Sequence, residues 1–160
     1  MPKAVKKKSL KEGSAAPKFK VETDDGRTVS LADFAGKKVV LYFYPKDDTP
    51  GCTKEACSFR DGISKIRAMG AEVLGVSVDG ADSHQRFKEK YQLNFPLLAD
   101  TAKKMVQAYG VWKEKNMYGR TYMGIERTTF LIDEKGKIRK IFPKVNVEAH
   151  YEEVLQSLGE

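Results

Sequence analysis

The two cysteines carry the clearest chemical signal in this 160-residue sequence. Cys52 follows Thr49-Pro50-Gly51, at the point where an apolar run typical of a strand gives way to a stretch with helical periodicity. A thiol at the start of a helix lies near free backbone N–H groups and the positive end of the helix dipole, and both favour an anion. We therefore expect Cys52 to ionise more readily than an ordinary thiol and to act as a nucleophile.

Two neighbours extend the chemistry of Cys52. Gly51 has no side chain, so a substrate could approach the backbone closely at this point. Thr49 lies three residues before the thiol, and its hydroxyl could donate a hydrogen bond to an incoming oxygen or accept one from it. A cation beside the thiolate is also expected, but composition alone does not select it from the 29 lysines and arginines.

Cys57 lies five residues after Cys52 in the same predicted helix. In an intact helix this separation places the two Cα atoms roughly 8 to 9 Å apart. A disulfide needs them within about 7 Å. A bond between the two thiols would therefore require the first turns of the helix to unwind, so that oxidation acts as a conformational switch over residues 49 to about 60.

Three carboxylates also lie close to Cys52 in the sequence, those of Asp47, Asp48 and Glu55. A carboxylate that faces a thiol opposes its ionisation. The sequence leaves open whether any of the three points toward Cys52.

These side chains need a scaffold, and the hydrophobic pattern predicts an α/β domain. An unbroken run of β-branched and aromatic residues over 38–44 predicts a strand buried on both faces. Apolar residues at steps of three and four over 53–69 predict an amphipathic helix. A buried strand is also predicted over 71–78, so the first strand, the helix and this strand make a right-handed parallel unit. We expect the unit to lie in a mixed central sheet flanked by helices. The other predicted elements are an N-terminal β-hairpin over 19–23 and 27–30, strands over 95–98, 127–132 and 137–142, helices over 82–91, 101–109 and 147–158, and a loop over 115–123.

Composition and charge limit the classes of function. The chain is 41% hydrophobic, enough for one globular domain, and its longest apolar run of six residues is far shorter than a membrane span. Five lysines and one glutamate among the first twelve residues supply more than half of the net charge of +7. We interpret residues 1–12 as a flexible basic segment and residues 13–160 as the domain, and we expect no nucleic acid partner.

The cysteine usage and the basic start also bear on the compartment. No apolar stretch of about 7 to 15 residues follows the basic start, so a secretory signal is not expected and cytoplasm is the expected location. A reducing compartment keeps two cysteines as thiols, which favours a reactive role over a structural one. Together with His84 and His150, the cysteines match no standard zinc-ligand spacing, so no metal site is expected.

The run from Phe43 to Cys57, Phe-Tyr-Pro-Lys-Asp-Asp-Thr-Pro-Gly-Cys-Thr-Lys-Glu-Ala-Cys, resembles the active-site signature of peroxiredoxins. The spacing of its two cysteines, with four residues between them, resembles that of the peroxiredoxin Q subtype, also called bacterioferritin comigratory protein. The resemblance extends over residues 10 to 158. It implies a thioredoxin-like fold and thiol-dependent reduction of hydrogen peroxide and organic hydroperoxides. Further matching runs lie at residues 16–19, 74–79, 94–98, 109–112 and 127–133.

The resemblance also implies a role for each residue of the signature. Cys52 corresponds to the peroxidatic cysteine, which forms a sulfenic acid, and Cys57 to the resolving cysteine, which closes a disulfide with it. Arg127 corresponds to the missing cation. Thr49 and the backbone N–H of Cys52 would hold the peroxide, and Pro45 would shield the thiolate from water.

The same resemblance implies the partners. Thioredoxin, or a similar dithiol protein, would reduce the disulfide by thiol–disulfide exchange. No metal, haem, flavin or other cofactor is implied. The chain is expected to be a monomer, with a weak dimer left open.

Two other functions stay open at the level of sequence. The first is a thiol–disulfide oxidoreductase on the same fold, although that chemistry typically uses two cysteines separated by two residues. The second, from a different class, is a binding module whose basic tail, residues 1–12, contacts nucleic acid or an acidic partner.

Overall fold

A mixed seven-stranded sheet forms the centre of the computed structural model, which describes residues 10–159. The described strands are β1 (Lys20–Thr23), β2 (Thr28–Ser30), β3 (Lys38–Phe43), β4 (Ala71–Ser77), β5 (Leu97–Ala99), β6 (Trp112–Met117), β7 (Arg120–Ile125), β8 (Thr128–Ile132) and β9 (Ile138–Phe142). The described helices are α1 (Pro50–Ala68), α2 (Ala81–Tyr91), α3 (Lys104–Ala108), α4 (His150–Leu158) and a short 3-10 helix (Leu31–Phe34).

The strand order in the sheet is β2-β1-β5-β4-β3-β8-β9. The strands β3, β4 and β5 are parallel, β8 is antiparallel to β3, and β9 is antiparallel to β8. The predicted hairpin is also present, because β1 pairs antiparallel with β2. The mixed sheet, the parallel β3-α1-β4 unit and the hairpin predicted from sequence are thus confirmed.

The central strand β3 is buried on both faces, as its apolar run predicts. Alternate side chains of a strand point to opposite faces of the sheet. Val40 and Tyr42 therefore pack into the first core cluster, and Leu41 and Phe43 pack into the second. The first core cluster lies beneath α1 and α4 and includes Cys52, Ala56, Phe59, Ile63, Ile66 and Val154. The second lies on the opposite face and includes Phe19, Met105, Tyr109, Val111 and Phe130.

Helix α1 begins at Pro50, three residues before the predicted start. Proline suits the first position of a helix, where its missing N–H has no partner to lose, and threonine is a common residue at the N-cap. Thr49 has the extended backbone of an N-cap residue. The earlier start places Cys52 inside the first turn of the helix. At the other end, Gly70 adopts a left-handed φ of 77° just after the helix.

The prediction of a loop over residues 115–123 is wrong, because β6 and β7 form a separate antiparallel ribbon there. Tyr118 and Gly119 make its two-residue turn, and both have positive φ, 54° and 78°. Most side chains of the ribbon are exposed, so its strands lack the apolar alternation by which a strand is recognised.

The other bounds differ from prediction by a few residues. Helix α3 begins at Lys104, not 101, because Lys103 adopts a left-handed φ of 60°. Helix α4 begins at His150, not 147, because Asn146 first makes a turn in which its side chain accepts the N–H of Glu148. Strand β8 begins at Thr128, so Arg127 immediately precedes it.

Residues 1–9 of the predicted basic segment lie outside the described residues. The rest of that segment contacts the domain. Leu10 packs against the second core cluster, and the carboxylate of Glu12 accepts the backbone N–H of Ile141 at 3.2 Å. Within residues 10–159, no helix is both long enough and apolar enough to cross a bilayer.

Candidate active site

Strand pairing brings Arg127 to the start of α1, although Arg127 lies far from Cys52 in sequence. Phe43, the last residue of β3, is the register partner of Thr128, the first residue of β8. Arg127 therefore lies at the edge of the sheet where β3 ends and the chain continues toward α1. Open α/β sheets place their ligands at this carboxyl edge of the parallel strands.

The thiol of Cys52 accepts a hydrogen bond from Arg127. The donor nitrogen, Nη2, lies 3.3 Å from the sulfur. Cys52 is only 1% exposed, so this bond is shielded from bulk water and is electrostatically stronger than it would be in water. Its sulfur also lies in the first turn of α1, near the positive end of the helix dipole.

Gly51 provides the space that Arg127 occupies. A Cβ atom on Gly51 would lie 3.2 Å from Nη2 of Arg127, a contact closer than most side chains tolerate. The lack of a side chain at Gly51 predicts that a substrate approaches the backbone here. The structure shows that the arginine takes the space over this glycine.

Glu55 is the carboxylate that joins the site. It lies one helical turn after Cys52, on the same side of α1, and its Oε1 accepts a hydrogen bond of 2.7 Å from Nη1 of Arg127. Asp47 and Asp48 point elsewhere, toward Tyr44 and the residues of α2. The sequence leaves open whether Glu55 faces the thiol, although its spacing of three residues from Cys52 is a signal for a shared partner.

Burial and the neighbouring charges together set the ionisation of Glu55 and Arg127. Glu55 is 1% exposed, and among residues 10–159 its second oxygen, Oε2, has no hydrogen-bond partner. Burial raises the pKa of Glu55 to about 7, although the charge and hydrogen bond of Arg127 act in the opposite direction. For Arg127, burial lowers the pKa, but the charges of Glu55 and Cys52 outweigh it, so the pKa is raised and the guanidinium stays charged.

The hydroxyl of Thr49 does not cap α1 in the usual way. An N-cap threonine commonly accepts a hydrogen bond from an N–H of the first turn. Here it caps none of them, and the hydroxyl donates to the carbonyl of Lys46 at 2.9 Å. The backbone N–H groups of Gly51 and Cys52, which lack an intrahelical acceptor, therefore stay available to a ligand.

The remaining predicted residues lie on the same segment. Pro45 is half-buried and follows β3 after Tyr44, at the start of the loop that leads to Thr49. Cys57 is partly buried in the same unbroken helix as Cys52, and both cysteines are free. The structure thus gathers Thr49, Gly51, Cys52 and Arg127 at one point, with Cys57 further along α1.

Known proteins are similar to this chain over most of its length. Residues 13–141 match the AhpC/TSA family. A Coxiella burnetii relative is 54% identical over 94% of this chain and 99% of its own length. Peroxiredoxin Bcp of Bacillus subtilis is 49% identical over 94% of this chain and 96% of that protein. A solved structure of the Xanthomonas campestris bacterioferritin comigratory protein, which concerns its alkyl peroxide reduction activity, has a TM-score of 0.85 and 40% identity over 88% of this chain and 90% of that one.

Proposed function

The chain belongs to the AhpC/TSA family as a peroxiredoxin of the Q/Bcp type, a thiol-dependent peroxidase with a thioredoxin-like fold, and we propose that Cys52 is the residue that attacks the peroxide. The observation that carries this assignment is the 3.3 Å hydrogen bond from the Arg127 guanidinium to the Cys52 sulfur. A charged donor at this distance stabilises a thiolate, and the thiolate is the nucleophilic form of cysteine.

The first chemical step oxidises Cys52. An electron pair of the thiolate forms an S–O bond with the nearer peroxide oxygen, and the O–O bond breaks. The distal oxygen leaves as hydroxide or alkoxide and takes a proton from solvent. Cys52 becomes a sulfenic acid, and the peroxide is reduced to water or an alcohol.

The surrounding groups hold the two peroxide oxygens. Arg127 and the backbone N–H groups of Gly51 and Cys52 donate to the oxygen on which negative charge develops. Thr49 acts as an acceptor, because its own proton is donated to the Lys46 carbonyl. A hydroperoxide therefore binds with its O–H directed at Thr49. Pro45 shields the thiolate from water, and Glu55 orients Arg127 through the 2.7 Å hydrogen bond.

The second step joins Cys52 and Cys57. The Cys57 thiol attacks the sulfur of the sulfenic acid, a disulfide forms and water leaves. Because α1 is continuous through both residues, its first turns unwind for this step. Amide hydrogen exchange tests the switch: residues 53–60 lose protection in the disulfide form relative to the dithiol form. Equal protection in both forms would contradict it.

A thiol reductant restores the enzyme, and we assign this role to thioredoxin or a similar dithiol protein. The substrates are hydrogen peroxide and alkyl hydroperoxides, a class supported by the activity named for the Xanthomonas relative. Residues 13–160 form the catalytic domain, the chain acts as a monomer in the cytoplasm, and the basic residues 1–12 take no part in the chemistry.

The deciding experiment measures peroxide consumption with thioredoxin and thioredoxin reductase for the wild type and two variants. Cys52→Ser abolishes turnover. Cys57→Ser permits one turnover per protein and leaves a sulfenic acid detectable by mass spectrometry. Normal turnover by Cys52→Ser would show that Cys52 is not the nucleophile. Normal turnover by Cys57→Ser would contradict the resolving role of Cys57 alone.

A further inference from the structure

The loop between β3 and α1 contains a carboxylate that is buried and fully hydrogen-bonded. Asp47 lies two residues after Pro45 and two before Thr49, yet it is only 7% exposed. Its Oδ1 accepts the hydroxyl of Tyr44 at 2.6 Å. Its Oδ2 accepts the hydroxyl of Ser83 at 2.8 Å and pairs with Nδ1 of His84 at 2.7 Å. Side chains from the end of β3 and from α2 therefore hold one residue of the peroxide-binding loop.

The backbone of this loop is held as well, by a second carboxylate. Asp79, just after β4, accepts the N–H of Asp47 at 2.8 Å through Oδ2. The same oxygen accepts the hydroxyl of Ser77 at 2.8 Å, and Ser77 is fully buried in β4. Asp79 thus connects the loop to a central strand of the sheet.

The N–H of Asp47 and the carbonyl of Lys46 belong to one peptide group. A peptide group is planar, so fixing the direction of its N–H also fixes the direction of its C=O. The N–H points at Asp79, and the C=O accepts the hydroxyl of Thr49 at 2.9 Å. One rigid plane therefore connects the Asp79 carboxylate to the Thr49 hydroxyl.

We propose that Asp79 and the Asp47–His84 pair are positioning residues, which clamp the Lys46–Asp47 peptide so that Thr49 presents a lone pair to the peroxide. This inference rests on the proposed role of Thr49 as the acceptor of the peroxide O–H. Asp47, Asp79 and His84 bring potential metal-ligand atoms within 4.8 Å of one another. Each side chain is already engaged by hydrogen bonds within the protein, which favours a clamp over a cation site.

The clamp depends on a second N–H group on the ring of His84. His84 is fully buried, and its Nε2 lies 2.8 Å from the carbonyl oxygen of Leu98. Both ring nitrogens therefore face oxygen atoms, and a neutral imidazole has only one N–H to donate. An imidazolium beside the Asp47 carboxylate satisfies both contacts. Loss of one ring proton leaves a nitrogen lone pair facing either Asp47 or Leu98.

The surroundings of His84 favour the protonated form. Burial lowers its pKa, but the hydrogen bond and charge of Asp47, the Leu98 carbonyl and the charge of Asp79 outweigh it, and the pKa is raised. Tyr44 also faces the ring but stays neutral, because burial raises its pKa well above 10. The clamp is therefore complete below the ordinary histidine pKa of about 6.5. It loosens as the pH rises through the raised pKa of His84.

A double-mutant cycle tests the clamp. The rate constant of Cys52 with hydrogen peroxide is measured by stopped flow for Asp79→Ala, Thr49→Val and the double variant. Asp79→Ala lowers the rate about 10-fold, the cost of a lost hydrogen bond to a charged group. Thr49→Val lowers it about 100-fold, the cost of a lost binding group at the reacting atoms. If Asp79 acts through Thr49, it lowers the rate by less than about 2-fold in the Thr49→Val background.

Three further measurements separate positioning from general destabilisation. Alkylation of Cys52 by iodoacetamide needs the thiolate but not Thr49, so Asp79→Ala leaves its rate unchanged. Asp79→Asn keeps an oxygen acceptor for the Asp47 N–H and recovers most of the peroxide rate. Asp100→Ala is the matched control: Asp100 is also buried and accepts two backbone N–H groups, in α3, so its loss lowers stability without slowing the peroxide reaction.

The pH dependence gives an independent test. The wild-type peroxide rate falls on the alkaline side, whereas His84→Gln, which keeps hydrogen-bonding groups but does not titrate, shows no such fall. Persistence of the alkaline fall in His84→Gln, or its presence in the alkylation rate, would overturn the clamp. So would full additivity of Asp79→Ala and Thr49→Val. If Thr49→Val alone left the peroxide rate unchanged, the proposed role of Thr49 would fail instead.

Discussion

Glu55 and Asp47 are two buried carboxylates on either side of Cys52 in sequence, and their environments differ. Glu55 has one oxygen on Arg127 and one without a partner in residues 10–159, and burial raises its pKa to about 7. Both oxygens of Asp47 are hydrogen-bonded. The charged groups around Glu55 are only partly hydrogen-bonded, which suits a site where charge changes during the reaction. The Asp47 region is satisfied throughout and sets geometry.

The largest effect expected from this contrast is that of Arg127→Ala. It removes the cation that faces both Cys52 and Glu55, so the rate of peroxide reduction falls about 100-fold or more. Stopped-flow measurement with hydrogen peroxide checks it. Arg120→Ala, in the exposed ribbon, is the control and keeps the wild-type rate. A loss below about 10-fold for Arg127→Ala would show that the helix start, not the arginine, supplies most of the stabilisation.

The charge balance around Glu55 predicts a pH-dependent stability. Its raised pKa means that the folded state binds a proton more tightly than the unfolded state, so stability falls as pH rises between 4.5 and about 7. A shift of this size corresponds to about 3 kcal/mol at most.

Urea denaturation of Glu55→Gln and wild type at several pH values measures this effect. Because glutamine does not titrate, the variant lacks the fall, and the difference between the two proteins isolates Glu55. The exposed substitution Glu148→Gln serves as the control. Parallel stability curves for wild type and Glu55→Gln would mean that the Glu55 pKa is not raised.

A smaller effect is expected at Gly51. An alanine Cβ would press on Nη2 of Arg127 from 3.2 Å, and displacing the guanidinium lowers the peroxide rate about 10-fold. Alanine is also the better helix former, so the stability of the folded protein does not fall. Gly159→Ala, whose Cβ meets ordinary contacts at 3.6 Å, is the control. An unchanged rate for Gly51→Ala would show that the arginine has room to move without cost.

The smallest effect is expected from deletion of residues 1–9. Leu10 and Glu12 contact the domain and are retained, so the peroxide rate changes by less than about 2-fold. Binding to a nucleic acid probe, measured at low and moderate salt, checks the alternative function. A salt-dependent affinity that disappears with the deletion would support a binding role for the basic segment.

Elements with strong apolar patterns were predictable from sequence, and the exposed β6–β7 ribbon was not. The buried runs of β3 and β4 and the apolar stripe of α1 carry the periodicities that packing requires. The β6–β7 ribbon packs few of its side chains, so its sequence carries no such pattern. Its turn, at Tyr118 and Gly119, is specified by backbone conformation instead.

The chemistry of the thiol could be predicted from one short stretch of sequence. The strand end, the Pro-Gly pair and the helix start are local features, and they place Cys52 near helix N–H groups. The cation that faces the thiol could not be predicted from local sequence in this way. Antiparallel pairing of Phe43 with Thr128 brings Arg127 to the thiol, and pairing between distant strands depends on the packing of the whole sheet. The same holds for the hydrogen-bond partners of Glu55 and Asp79. Arg127 and Asp47 are distant from them in sequence and meet them only in the folded chain.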